Sequence, residues 1–328
     1  MTTLISFRHG GEDRLGAVVG DDVVDLARAH QARPTPGGGV PETGADARGG
    51  ARADGGAAVE ELGDLLTFLR GGDTALEVAR AVVEWVGSLP EDEARERRLL
   101  LARGEVEARV PIANPPKVIC VARNFDAHAK EAGKEVSEIP IVFARFPSTL
   151  IADGEGVIVP RVSHQVDWEG ELAFVVGRPG RYISRADAMG HVAGYTILND
   201  VTVRDYQFRV SQYTSGKNFN ASGPFGPVLV LADEGLDPHN LRITTTLSGE
   251  VMQDGSTADM VFDIPAIIEH ISEWIELEVG DVVAMGTPSG VGFTRQPPRF
   301  LEPGDTITVE IEGIGMLSNP VVADPWGV

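Results

Sequence analysis

A chain of 328 residues with 42% hydrophobic side chains is long enough for a sizeable core, arranged as one large domain or as one large and one small. Its formal charge of −21 repels phosphate backbones and anionic lipid, which excludes nucleic acid and membrane surfaces as expected partners and suits cation binding as well as plain solubility. The single cysteine, Cys120, excludes a disulfide framework and a thiolate zinc site, and in VICVA it reads as a small buried hydrophobe.

In chain order, the apolar runs at 4–7, 15–19 and 23–26 read as short strands separated by the turn formers HGGEDR and GDD. The opening MTTLISFRHGGEDR has no long apolar run behind a basic start, so it does not read as a secretory signal. No apolar run is long enough to span a bilayer, and the expected location is cytoplasmic. Residues 33–56, RPTPGGGVPETGADARGGARADGG, have too little apolar surface to offset their ordering entropy and read as a flexible loop, not a phosphate cradle. Helical spacing of apolar residues predicts helices over 60–69, 74–86 and 91–101. Residues 1–111 are thus expected to form a small α+β domain that serves as a lid or docking element.

From residue 112 the character changes. Segments rich in Val, Ile and Phe predict strands at 118–121, 157–159, 171–176, 192–198, 228–231, 243–247, 282–285 and 306–311. Two helical patterns interrupt them: 125–132, opened by Asn124 and closed by Gly133, and 264–275, with Ile267, Ile268, Ile271 and Ile275 on one face. Many short strands with few helices predict a mixed, β-rich (α+β) sandwich or rolled sheet over 112–328, not a doubly wound βαβ fold.

The strongest chemical signal is VDWEGEL, running directly into an apolar strand. If 166–172 is one strand, Asp167, Glu169 and Glu171 share a face, where they either meet solvent or hold a cation. Asp200, at the apparent end of the strand in GYTILND, offers a further carboxylate, or else caps the following segment as an N-cap or Asx turn. A hard divalent cation such as Mg²⁺ takes such oxygens and keeps positions for water and substrate, so Glu169, Glu171 and Asp200 form a candidate metal site. His128 and Glu131 lie three apart on one short helix, as a surface pair or as a carboxylate-oriented general base. Lys217 in SGKN is either solvated or placed to face a developing oxyanion. It is not a P-loop lysine, because Ser211 and Asn218 stand where that motif needs Gly and Ser or Thr. Residues 286–292, GTPSGVG, fit neither a dinucleotide fingerprint nor a nucleophile elbow, and read as a tight loop that lets backbone approach a ligand.

The ordered stretches VARNFDAHAKEAG, FARFPSTL, DWEGELAFVVG, AGYTILNDVTVRDYQ, SGKNF, GPFGP, VMQDGSTADMVF, GDVVAMGTPSGVG and LEPGDTITVEIEGIG together resemble the fumarylacetoacetate hydrolase family, in particular its acylpyruvate hydrolase and oxaloacetate decarboxylase-like branch. The resemblance spans roughly residues 112–321; the N-terminal region matches the family's variable small domain only in size and position. It implies a β-sandwich roll, a Mg²⁺ cofactor (Mn²⁺ or Ca²⁺ in some members), and a homodimer. The metal carboxylates fall on Glu169, Glu171 and Asp200, and the His–Glu pair on His128 and Glu131. Groups that hold substrate or oxyanion fall on Arg204, Gln207, Lys217 and Thr287, with Arg123 at a substrate carboxylate. Among the departures, Arg145 replaces a usual Lys, Ala122 a Gly, Thr202 a Ser and Met285 a Thr, and Arg145 and Met285 are expected to border the substrate pocket.

The implied chemistry is hydrolysis of a C–C bond in a small 1,3-dicarbonyl or acylpyruvate-type oxo-acid. His128, oriented by Glu131, activates water, Lys217 and Gln207 face the oxyanion, and the metal stabilises the departing enolate. The alternative is decarboxylation of oxaloacetate, or an isomerase or hydratase reaction on a related 2-oxo acid. A cation-stabilised binding protein without turnover is the non-enzymatic alternative.

Overall fold

The computed structural model describes residues 2–34, 62–232 and 235–326. The expected flexible loop, 33–56, lies outside the described residues from position 35 onward. The chain divides into two compact units, Thr2–Glu107 and Ala108–Val328.

In the first unit, strands Thr3–His9, Glu12–Val19 and Asp22–Asp25 form an antiparallel meander, and Leu100–Ala102 pairs with the last of them. The apolar run predicted as strand to position 26 ends one residue earlier, because Asp25 caps the helix Leu26–Ala32 by accepting the Arg28 N–H. Helices Leu65–Arg70 and Gly72–Gly87 cover much of two predicted segments, the former capped by Asp64 through the Thr67 N–H. The predicted helix 91–101 stops at Glu96: Arg98 takes a positive φ of 56°, which lets Leu100–Ala102 turn out and join the meander.

In the second unit, one sheet runs in the order Gly223–Leu231, Val192–Asn199, Gly170–Val176, Val282–Ala284, Val118–Ala122, Ile141–Ala144. Strand Gly170–Val176 is buried at every position, as its unbroken apolar run from Leu172 requires. The other sheet runs Glu250–Ser256, Arg242–Leu247, Thr306–Ile311, Gly315–Ala323, Val157–Val159. The two sheets meet at Gly170, where a Cβ would lie 2.5 Å from Thr245 Oγ1 and 2.9 Å from Val309 Cγ1. Only glycine fits this contact, and strand alternation then turns Glu171 to the opposite face.

This is the expected mixed, strand-rich fold. Several strands were not predicted, among them Ile141–Ala144, the polar edge strand Glu250–Ser256, and Gly315–Ala323, which has Pro320 inside it. Gly223–Leu231 was predicted only over 228–231, because it begins on the turn-like GPFGP, although all nine of its residues are buried. Helices Asp126–Glu131 and Ile264–Trp274 form where helical spacing predicts them. Among the described residues, no helix is long and apolar enough to cross a membrane.

Candidate metal centre and active site

Glu169 and Asp200 meet where two antiparallel strands end. Gly170 pairs with Asn199, the Asp200 N–H donates to the Glu169 carbonyl at 2.8 Å, and the Asn199 side chain accepts the Glu169 N–H at 3.0 Å. Behind them lies an apolar cluster containing Val166, Trp168, Val201 and Val203. One oxygen each from Glu169, Glu171 and Asp200 falls within 4.8 Å of the others, and all three residues are buried.

The stretch is not one strand, and Asp167 is not on the metal face. Val166–Asp167 pairs with Thr202–Val203, the ladder breaks at Trp168 and Glu169, and the next strand starts at Gly170. The Asp167 carboxylate is taken up by Arg204 and by backbone N–H groups.

Four buried carboxylates (Asp167, Glu169, Glu171, Asp200) face three buried cations (Arg145, Arg204, Lys217). Arg145 grips Asp200 Oδ1 through Nε at 2.9 Å and Nη2 at 2.5 Å, and Arg204 bridges Asp167 at 2.8 Å and Glu169 at 2.7 Å. Lys217 Nζ contacts Glu169 Oε2 at 2.5 Å and also Asp200 Oδ2. Burial pushes the Glu169 carboxyl up, but Lys217 and Arg204 outweigh it and hold the group at about 2. Glu171 has no such partner among the described residues: it accepts the Gly286 N–H at 2.9 Å. Burial, then the neighbouring Asp200 and Glu169, push its carboxyl well above the usual range. A buried carboxylate without an ion-pair partner among the described residues, beside two others offering hard oxygen atoms, fits a divalent cation such as Mg²⁺ or Mn²⁺.

The second element of the candidate site is the helix Asp126–Glu131. Gly133, at φ 66°, ends it, with the Lys134 N–H returning to the Ala129 carbonyl. His128 Nδ1 lies 2.9 Å from Glu131 Oε1, and Glu131 Oε2 accepts from Gly290 N at 3.0 Å and Thr294 Oγ1 at 3.2 Å. With Nδ1–H turned to Glu131, the imidazole lone pair lies on Nε2. A pocket of ≈ 320 Å³ contains His128 together with Glu169, Glu171, Asp200, Lys217, Gln207, Thr287, Arg123 and Arg204. Two arginines in its wall carry a buried donor, Arg204 Nη2 and Arg123 Nε, that has no hydrogen-bond partner among the described residues.

This chain also matches the family model for the C-terminal region of fumarylacetoacetate (FAA) hydrolase, over residues 117–322. The chain belongs to the fumarylacetoacetate hydrolase family. It is 42% identical to the Homo sapiens "Oxaloacetate tautomerase FAHD2A, mitochondrial" over 78% of both chains. It is 43% identical to "Oxaloacetate tautomerase YisK" of Bacillus subtilis over 79% of this chain and 86% of the relative. A solved fumarylacetoacetate hydrolase from Exiguobacterium antarcticum superposes with a TM-score of 0.74 at 31% identity, covering 99% of this chain and 100% of that one.

Of the residues expected to touch substrate, two do not border the pocket of this family member. Arg145 lies fully buried behind Asp200, its other nitrogen contacts being Ser222, Thr149 and the Val201 carbonyl. Arg145, where the resemblance implies a Lys, thus grips a carboxylate, and its fork reaches several acceptors at once. Met285 is buried behind the pocket, with its N–H on Leu172 and its carbonyl on Asn124. Asn124 does not cap the helix; its side chain ties Phe262 and Met285 together, and Phe125 is the N-cap. Thr287 borders the pocket with its hydroxyl committed to the Gly170 carbonyl at 2.9 Å.

Sequence reasoning missed the aromatic wall. Phe143 meets Tyr213 edge-on at 5.3 Å, and Phe208 meets Phe293 at 5.5 Å; all four rings line the pocket. It also missed Thr294 and Gly290, which hold Glu131 from 159 or more residues away. Neither has a periodicity or a charge that would have marked it.

Proposed function

We propose that this chain is a divalent-cation-dependent enzyme that moves a proton on an enolisable 2-oxo acid of the oxaloacetate type, interconverting keto and enol forms. One observation carries this reading: an oriented imidazole and an under-neutralised three-carboxylate cluster open into the same pocket, alongside arginine donors that lack partners. The relatives named oxaloacetate tautomerase support it at 42% and 43% identity.

A cation held by Glu169, Glu171 and Asp200 would bind the 2-oxo acid and stabilise the negative charge that develops on its C2 oxygen. Arg204 and Arg123 hold the substrate carboxylates. His128 Nε2 removes a proton from C3, and Glu131 stabilises the resulting imidazolium. Lys217, buried and kept charged by Asp200 and Glu169 despite its desolvation, supplies a proton to the C2 oxygen. Reversal of the two transfers regenerates the keto acid, and no bond between carbon atoms is broken.

The His–Glu pair favours a second reading, C–C hydrolysis, because the same base can take its proton from water. Hydroxide then adds to the distal carbonyl, the C–C bond breaks, and the leaving enolate takes a proton from Lys217 while Gln207 faces the oxyanion. The solved hydrolase with the same fold supports it. The two readings separate on products, since only hydrolysis releases two acids.

Replacing the base tests both readings. His128→Gln lowers turnover about 10²- to 10⁴-fold, whereas Mn²⁺ affinity measured by calorimetry stays at the wild-type value because His128 is not a ligand. Undiminished turnover in this variant would exclude His128 as the base.

A further inference from the structure

Asp167 is completely buried, and the chemistry above makes no use of it. Its Oδ1 accepts from Gly292 N at 2.7 Å and Trp168 N at 2.8 Å, and its Oδ2 from Arg204 Nε at 2.8 Å and Phe293 N at 3.1 Å. A carboxylate with so many donors is satisfied, and is neither a free base nor an open ligand. What it does is join the two halves of the site. On one side Arg204 continues to Glu169 Oε1 at 2.7 Å. On the other, residues 290–294 continue to Glu131 through Gly290 N and Thr294 Oγ1, and Glu131 holds His128.

The segment is fixed from several directions. Trp168 Nε1 donates to the Gly290 carbonyl at 3.3 Å, and the Arg204 guanidinium lies 4.4 Å from the centre of the Phe293 ring. A Cβ at Gly292 would collide with the Arg299 carbonyl and come within 2.7 Å of Asp167 Oδ1, so only glycine lets the backbone approach this carboxylate.

We propose that Asp167 is a positioning residue that couples the His128–Glu131 base to the metal carboxylates through residues 290–294. One buried hydrogen-bonded chain then sets both the orientation of the base and the placement of Glu169. The inference rests on the proposed roles of His128 and of the three carboxylates.

Asp167→Asn tests it, because an amide puts a donor against donors whichever way it is turned. Glu131 contacts His128 from its own helix, and the charged groups that line the pocket with it are Glu169, Glu171, Asp200, Arg204, Lys217, Arg123 and Lys134. Weaker support from Glu131 favours the neutral imidazole, so the acid limb of the pH–rate profile moves to lower pH while kcat falls. Disturbed placement of Glu169 lowers Mn²⁺ affinity, by about 10- to 100-fold for lost outer-shell support. Asp167→Asn is expected to do both. Thr294→Val removes the hydroxyl that Glu131 shares with the Val291 carbonyl; it moves the limb and kcat, leaves Mn²⁺ affinity unchanged, and is rescued by Thr294→Ser.

A folded Asp167→Asn that changes only one of the two readouts, or neither, overturns the coupling. If that variant does not fold, the Thr294 pair decides: a wild-type profile in Thr294→Val overturns the chain at its base end, and a shifted profile restored by Ser supports it. Wild-type protein that neither binds Mn²⁺ nor acts on an oxo acid overturns the functional reading, and the coupling with it. Failure of the coupling alone leaves both wild-type activities intact.

Discussion

Glu171→Gln removes metal binding and lowers turnover by about three decades, several kcal/mol of lost charge stabilisation at about 1.4 kcal/mol per decade. The same change makes the chelator-treated protein more resistant to heat. Both effects follow from the position of Glu171, buried beside Asp200 and Glu169 with a backbone N–H as its hydrogen-bond partner. Without a cation, a carboxylate there is opposed by its neighbours, and an amide of the same shape relieves that repulsion. Thermal melts with and without Mn²⁺ provide the check. Wild-type protein gains stability on adding the ion, in proportion to occupancy, and Glu171→Gln does not. A metal-dependent rise in Tm that survives in the variant would remove Glu171 from the ligand set.

Arg145→Met destabilises the protein by about 3–5 kcal/mol, the usual result of removing one partner of a buried, hydrogen-bonded ion pair. Arg145 has no exposed surface on its side chain, and neither has Asp200. Its nitrogens serve Asp200, Ser222 and the Val201 carbonyl at 2.5–2.9 Å, so its loss strands a charge and leaves several buried acceptors short of a donor. Arg145→Lys keeps the charge but not the fork, and falls between wild type and Met. Urea unfolding of the metal-free forms measures this directly. Stability equal to wild type in Arg145→Met would mean that Asp200 finds compensation elsewhere.

How much of this could be read from the chain depends on how local each signal is. Strands such as Val157–Val159 and Thr306–Ile311 were legible to the residue, because turn formers bracket short β-branched runs. The break at Trp168 was not, since VDWEGEL alternates perfectly on paper; what breaks it is pairing with Thr202–Val203 and the contact of Gly170 with the facing sheet. The three carboxylates were legible as a candidate site, and their gathering within 4.8 Å follows from the antiparallel pairing that sets Gly170 opposite Asn199. Helical spacing was enough to bring His128 and Glu131 into contact, but left open whether they form a surface pair or an oriented base. The function of Arg145 required tertiary structure: a charged residue in FARFPS gives no indication that it will be buried against a carboxylate 55 positions away. The same holds for Asp167, whose place in the motif disguises a residue that faces the loop at 292–293.

The most direct test of metal-dependent proton transfer is to follow deuterium entry at C3 of oxaloacetate by NMR in D₂O, with pyruvate recorded in the same spectra. The chelated protein is titrated with Mg²⁺ for this purpose. Exchange at C3 is expected to accelerate with metal occupancy, to fall in His128→Gln, and to outrun the appearance of pyruvate. Exchange at the uncatalysed rate would contradict the assignment, and pyruvate appearing as fast as deuterium enters would contradict it by placing the chemistry in bond cleavage.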